Sequence, residues 1–340
     1  MQGKAMEEAI RWYDTYKDSC VKYCKDITHL IEQLIKSENI NYSSIAGRVK
    51  EKESFVKKCS KDKYSDISQI TDIVGVRVVA YVQSDIERIC STLEKEFSVD
   101  YENSINKSIE LKENEFGYLS VHYVLSYNET RRNLRENYIY RDMRFEIQIR
   151  TLLQHAWAEI SHDNNYKFSG VLPPGINRKF YMIAGALELI DSQFQGIANE
   201  LEEYIKDTGE QIKNSNGQVD IEIDSTSLYE YLDNKIVSNN VQRTFNGGDE
   251  DIVDELKKFG ISTIRELDNI MPPDINEKIK ECKYSGNFLG FLRHIMLIKD
   301  YNKYFSECWQ ERWGGMDKNQ KCLCKLYGID TENFKRYLIQ

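Results

Sequence analysis

The sequence predicts an α+β fold: a mixed β-sheet with helices on one side, followed by a helical region. Three observations predict it. The run "DIVGVRVVAYV", starting at Asp72, is almost continuously β-branched, as a buried central strand requires. The segments "SVHYVLSY" and "MRFEIQI" follow one another as strands, with only a charged loop around residues 128–137 between them. Segments of helical period surround these strands, beginning with residues 5–38. There Ile10, Tyr13, Tyr16, Cys20, Tyr23, Ile27, Leu30, Ile31 and Leu34 follow the i, i+3, i+4 pattern.

The remaining elements follow in order. "SSIAGRVK" reads as a strand and "EKESFVKKCSKD" as a charged helix. "SDIERICSTLEKEF" reads as a helix with Ser84 as its N-cap. Pro173, Pro174 and Gly175 break the chain before a long helix, about Asn177 to Lys206. The polar stretch "DTGEQIKNSNGQ" then reads as a linker. In "DEDIVDELKKFGISTIRELDNIM", Gly260 stops one short helix and Ser262 or Thr263 caps the next. The expected organisation is an N-terminal helix over 1–40, a domain over 41–206, a linker over 207–226 and a helical region over 227–340.

Composition narrows the function. A net charge of −9 over 340 residues argues against a dedicated nucleic-acid coat. No run approaches the roughly 18 apolar residues of a membrane helix, and the N-terminus lacks an apolar signal core. A cytoplasmic protein without a membrane partner is expected. The eight cysteines are scattered through amphipathic segments, which favours reduced, mostly buried thiols over a zinc site.

The chemistry lies on the predicted strands. Residues two apart on a strand share a face. Glu146, Gln148 and Arg150 therefore line one side, while Phe145, Ile147 and Ile149 fill the core. Arg48 and Lys50 repeat the pattern in "GRVK", and the next helix adds Lys52, Lys57 and Lys58. Asp72 stands at a strand entrance and Arg77 within that strand. Two carboxylates, a set of cations and the aromatic "FGYLSVHY" segment suit magnesium-assisted chemistry on a nucleotide phosphate. The chain has no GxxxxGK[ST] loop and no kinase HRD or DFG set, so the architecture is of another kind.

Five motifs in order, "GRVKEKESFVKK", "DIVGVR", "GYLSVH", "FEIQIRT" and "AWAEISHDNNYK", resemble the synthetase domain of RelA/SpoT-type alarmone synthetases. The resemblance covers about residues 41–205. It implies a nucleotidyltransferase-like mixed sheet in a stand-alone synthetase, and transfer of the β,γ-pyrophosphate of ATP to the ribose 3′-hydroxyl of GDP or GTP. It implies Mg²⁺ as cofactor, with Asp72 and Glu146 as its ligands. Glu146 is alternatively the group that takes the hydroxyl proton. Arg48 would stack on adenine, and Lys50, Ser54 and Lys58 would contact the ATP phosphates. Arg77 would lie near the transferring group. Tyr118 would stack on the acceptor base, with His122 in the same pocket and Gln148 and Arg150 orienting the acceptor.

The partners so implied are ATP and GDP or GTP, with a second copy of the chain as a candidate. An alternative acceptor is the 3′ end of tRNA, as in toxin-type relatives. From Cys282 onward the chain has ten Lys/Arg against six Asp/Glu, with interspersed aromatics that would either grip RNA or build a helical core.

Overall fold

Six strands build one mixed sheet: β1 (Tyr42–Val49), β2 (Val74–Ala80), β3 (Phe97–Val99), β4 (Ile105–Asn106), β5 (Val121–Tyr127) and β6 (Phe145–Thr151). Their order is β1-β2-β6-β5-β3, with β4 also paired to β5. Among the described strands of this sheet, only β2 and β6 run parallel to each other. The computed structural model describes residues 2–60, 66–106, 120–168, 173–309 and 315–334. Two compact units divide the chain, residues 1–198 and 199–340.

Strand alternation produces the two-faced sheet that the sequence predicts. Val74, Val76 and Val78 of β2 and Phe145, Ile147 and Ile149 of β6 are all buried. They pack with Tyr23, Ile27 and Ile31 of α1 (Gln2–Ser37) and with Ile86, Ile89 and Leu93 of α3 (Gln83–Glu96). α2 (Lys52–Cys59) anchors Phe55 against Tyr13 of α1. The contact of α1 with β1 is so close that only glycine fits at position 47. A Cβ there would lie 2.2 Å from Thr28 Oγ1 and 2.8 Å from Cys24 Sγ. The opposite face of the sheet carries the polar set.

Several local readings need correction. Ser84 is not the N-cap of α3, which starts at Gln83. Its backbone N–H instead donates to Gln195 Oε1 at 2.7 Å, so a distant side chain satisfies that early helical donor. The loop after β5 contains a short helix, α4 (Glu129–Arg132), capped by the Asn128 side chain. α5 (Leu152–Phe168) continues directly from β6.

The long helix α6 spans Pro174–Ser215, starting with Pro174 in its first turn, where proline's missing N–H costs nothing. It runs on through the first part of the stretch read as a linker. Thr208 and Ile212, one turn apart, are both buried and anchor that polar segment as helix.

The second unit is helical: α7 (Ser225–Lys235), α8 (Asp249–Lys258), α9 (Ile264–Ile270), α10 (Ile275–Glu281), α11 (Phe288–Lys303) and α12 (Lys318–Leu326). Gly260 takes φ +85° after α8, and Thr263 closes a capping box with Glu266 at the start of α9, as the sequence predicts. Tyr284, Phe288, Phe291, Tyr304 and Phe305 are buried, so these aromatics build the core and do not present an RNA-gripping surface. A buried ion pair crosses that core. Arg293 Nε donates to Glu255 Oε2 at 3.0 Å, and Tyr304 donates to the same oxygen at 3.0 Å.

Cys282 and Cys322 are joined as a disulfide, against the expectation of reduced thiols throughout. Their Cα atoms lie 5.7 Å apart because α10 ends where α12 passes. No helix among the described residues is long and apolar enough to cross a membrane.

Candidate active site

The open face of the sheet is organised by register. Parallel pairing sets Gly75 opposite Glu146 and Arg77 opposite Gln148. Antiparallel pairing sets Arg48 opposite Gly75, Ala46 opposite Arg77 and His122 opposite Gln148. Side chains from β1, β2, β6 and β5 therefore converge on one patch. Arg48, Asp72, Gly75, Arg77, Glu146 and Gln148 line a cleft of about 300 Å³ there.

Asp72 sits just before β2 and holds two cations. Lys50 Nζ lies 2.7 Å and Lys58 Nζ 2.9 Å from the same oxygen, Oδ2. Its other oxygen, Oδ1, is buried without a hydrogen-bond partner. Burial pushes the carboxyl pKa up, but the two lysines more than offset it and hold the group below its ordinary value. Two ammonium groups on one carboxylate leave a net positive charge at the cleft wall, the sign that a polyphosphate requires.

Glu146 anchors the other side. Gln148 Nε2 donates to its Oε1 at 3.1 Å, and His122 Nδ1 lies 3.3 Å from the same atom. Arg150 donates in turn to Gln148 Oε1 at 2.5 Å, so one face of β6 carries a continuous chain of hydrogen bonds. Burial raises the Glu146 pKa and nearby Asp72 adds to the rise. The bonds from His122 and Gln148 outweigh both, and the carboxyl falls below its usual range. Glu146 is therefore a carboxylate at neutral pH.

The sequence-named residues divide into three groups. Arg48, Asp72, Arg77, Glu146 and Gln148 line the cleft itself. Lys50 and Lys58 join it through Asp72, His122 through Glu146, and Arg150 through Gln148. Ser54 is exposed on α2, one turn before Lys58, and does not line the cleft. Tyr118 lies outside the described residues.

Sequence reasoning missed Glu159. This residue of α5 lines the cleft and accepts from Arg77 Nη1 at 2.9 Å. His155, one turn earlier, lies 3.8 Å from the same carboxylate oxygen. The polar pair at i and i+4 just after a site strand was the available signal.

A sheet face that gathers cations around two ionised carboxylates suits the handling of phosphates. A model of the region found in RelA/SpoT proteins matches residues 47–171. The GTP pyrophosphokinase YjbM of Bacillus subtilis (strain 168) is 30% identical over 164 residues, 47% of this chain and 73% of that protein. The GTP pyrophosphokinase YwaC of the same organism is 28% identical over 161 residues, 46% of this chain and 73% of that protein. The crystal structure of small alarmone synthetase 1 from Bacillus subtilis aligns with a TM-score of 0.48 at 25% identity, covering 57% of this chain and 98% of that one. The chain belongs to the RelA/SpoT family, and its activity is that of a diphosphokinase.

Proposed function

We propose that the chain transfers the β,γ-pyrophosphate of ATP to the ribose 3′-hydroxyl of GDP or GTP, forming a (p)ppGpp-type product. The observation that carries this reading is the convergence of Asp72, Glu146, Arg48 and Arg77 on one cleft of a RelA/SpoT-family sheet. The acceptor 3′-oxygen attacks the β-phosphorus of ATP. The bond from that phosphorus to the α,β-bridging oxygen breaks, AMP leaves, and the hydroxyl proton passes to the Glu146 carboxylate.

The residues divide the work. Lys50 and Lys58, held by Asp72, bind the ATP phosphates, with Ser54 at the outer edge of that group and Arg48 stacking on adenine. Arg77, oriented by Glu159, offsets charge on the transferring group. Glu146 accepts a hydrogen bond from the 3′-hydroxyl. Gln148, Arg150 and His122 orient the acceptor, whose base stacks on Tyr118.

Magnesium fits this donor set. Asp72 Oδ1 is a buried carboxylate oxygen without a partner, and Glu146 is a second ionised carboxylate on the same cleft. These two residues would hold the ion, and when bound it neutralises phosphoryl charge. The helical second unit is proposed as an accessory module that governs access or acceptor choice.

The test is incubation with terminally labelled ATP and each of GDP, GTP, AMP and bulk tRNA, with products separated by chromatography. Label on guanine nucleotides supports the reading. Label on tRNA alone overturns the choice of acceptor.

A further inference from the structure

Thr151, where β6 passes into α5, is tied to a residue outside the cleft. β6 ends at Thr151 and α5 starts at Leu152, so no loop separates strand from helix. The direction of α5 is set at that one junction. There "TLLQ" closes a capping box. Thr151 Oγ1 accepts from the Gln154 N–H at 3.2 Å, and Gln154 Oε1 accepts from the Thr151 N–H at 2.9 Å. Thr151 is fully buried, which closes its hydroxyl off from solvent. The hydroxyl donates instead to Asp191 Oδ2 of α6, at 2.5 Å.

Asp191 is itself held in place. One turn further along α6, Gln195 Oε1 accepts from the Ser84 N–H at 2.7 Å, and Gln195 Nε2 donates to Ser84 Oγ at 3.1 Å. Ser84 lies in the first turn of α3, just after β2, and Ala80 at the end of β2 pairs with Thr151. α6 therefore grips the ends of β2 and β6 together, with Asp191 on the strand-to-helix junction.

The junction governs Glu159. From Leu152 to Ser161 no residue of α5 is fully buried, so packing anchors this stretch weakly. Glu159 stands eight residues beyond Thr151, about 12 Å along the helix. A tilt of about 10° at the junction would move it by roughly 2 Å, against a hydrogen-bond window of about 0.5 Å. The bond that Glu159 accepts from Arg77 Nη1 at 2.9 Å therefore depends on the direction Thr151 gives to α5. Without the Asp191 carboxylate, the buried hydroxyl hydrogen loses its acceptor, and the capping box must rearrange to supply one.

We propose that Asp191 is a positioning residue for pyrophosphate transfer: by holding the Thr151 hydroxyl it fixes the angle of α5 and keeps Glu159 on Arg77. This rests on the reaction proposed above, in which Arg77 offsets charge on the transferring group. Asp191 itself does not line the cleft.

Steady-state transfer by the full chain tests it, with circular dichroism to confirm folding. Asp191→Ala should lower kcat by on the order of 10–100-fold and leave KM for ATP within about twofold, because the misplaced charge is felt at the transition state. Asp191→Asn keeps an acceptor oxygen for the hydroxyl and should recover most of the rate. Thr151→Ser should stay near wild type, whereas the similarly shaped Thr151→Val should match Asp191→Ala. Adding Asp191→Ala to Glu159→Ala should cost little beyond Glu159→Ala alone, because both act on Arg77. An unchanged kcat in Asp191→Ala, or a full and independent loss in the Glu159→Ala background, overturns the proposal. So does unfolding of both Asp191→Ala and Thr151→Val, which would make the contact a support of the whole fold. A wild type that transfers no label to any acceptor overturns the reaction instead. The positioning is then read from a crystal structure of Asp191→Ala, where Glu159 still paired with Arg77 would contradict it and a displaced Glu159 would support it.

Discussion

His122 and Glu146 occupy diagonal positions on adjacent antiparallel strands, and their side chains meet: Nδ1 of the histidine lies 3.3 Å from Oε1 of the glutamate. That contact helps to keep Glu146 ionised in a half-buried setting that by itself would raise its pKa. Removing it by His122→Ala should move the Glu146 carboxyl upward. The acidic limb of the pH profile for transfer, where Glu146 gains its proton, should shift to higher pH in the variant. An acidic limb at the same pH as wild type would mean that His122 does not tune this carboxylate.

Asp72 makes a prediction about stability against pH. Its folded-state carboxyl value lies below the ordinary one of about 3.9. A depressed value contributes stability that is complete above the unfolded pKa and is lost as pH falls through the folded one. The melting-temperature advantage of the wild type over Asp72→Asn should therefore be constant from neutrality to about pH 5 and shrink below about pH 4. An advantage that grows on acidification would contradict the Lys50–Asp72–Lys58 arrangement. The same variant should need more Mg²⁺ for half-maximal transfer, because an amide holds a hard cation poorly.

Gly47→Ala should destabilise the first unit by about 1–3 kcal/mol, the usual cost of overpacking. The added methyl meets Thr28 Oγ1, the nearer of its two obstacles. Combining it with Thr28→Ala should recover part of the loss in denaturant melts. Full stability in the single variant would show that α1 does not approach β1 as closely as described.

In the second unit, Glu255→Gln leaves the Arg293 guanidinium buried without its counter-charge, and should cost about 3–5 kcal/mol. Replacing both members by methionine should cost much less, because no unpaired charge remains. Equal losses in the single and double variants would show that the pair acts through packing alone.

Much of the sheet was legible because period-two alternation leaves few choices. The β-branched run of β2 and the alternating "FEIQIRT" fixed which side chains face the cleft. Asp72 and Glu146 stand out once the strand faces are assigned. Glu159 was legible only as an i, i+4 polar pair with His155, since the angle at which α5 leaves β6 decides whether a helical carboxylate reaches Arg77. The end of α6 was misjudged for a related reason. "DTGEQIKNSNGQ" is polar by count, and only tertiary burial of Thr208 and Ile212 keeps its first part helical. The Ser84 cap failed similarly, because Gln195, far along the chain, supplies the acceptor. The Cys282–Cys322 pair depends on where two helices pass, which spacing alone does not encode.

The central claim is that Glu146 on β6 is essential to pyrophosphate transfer from ATP to a guanine nucleotide. The most direct measurement is single-turnover transfer of label from ATP to GDP and GTP by the wild type and by Glu146→Gln. That exchange keeps the side chain's size on the strand face and removes its charge. The account predicts labelled guanine nucleotide from the wild type, and a rate lower by about 10²–10⁴ in a variant that still folds and binds ATP. Transfer by Glu146→Gln within about tenfold of wild type, well inside what loss of an essential catalytic group costs, would contradict it.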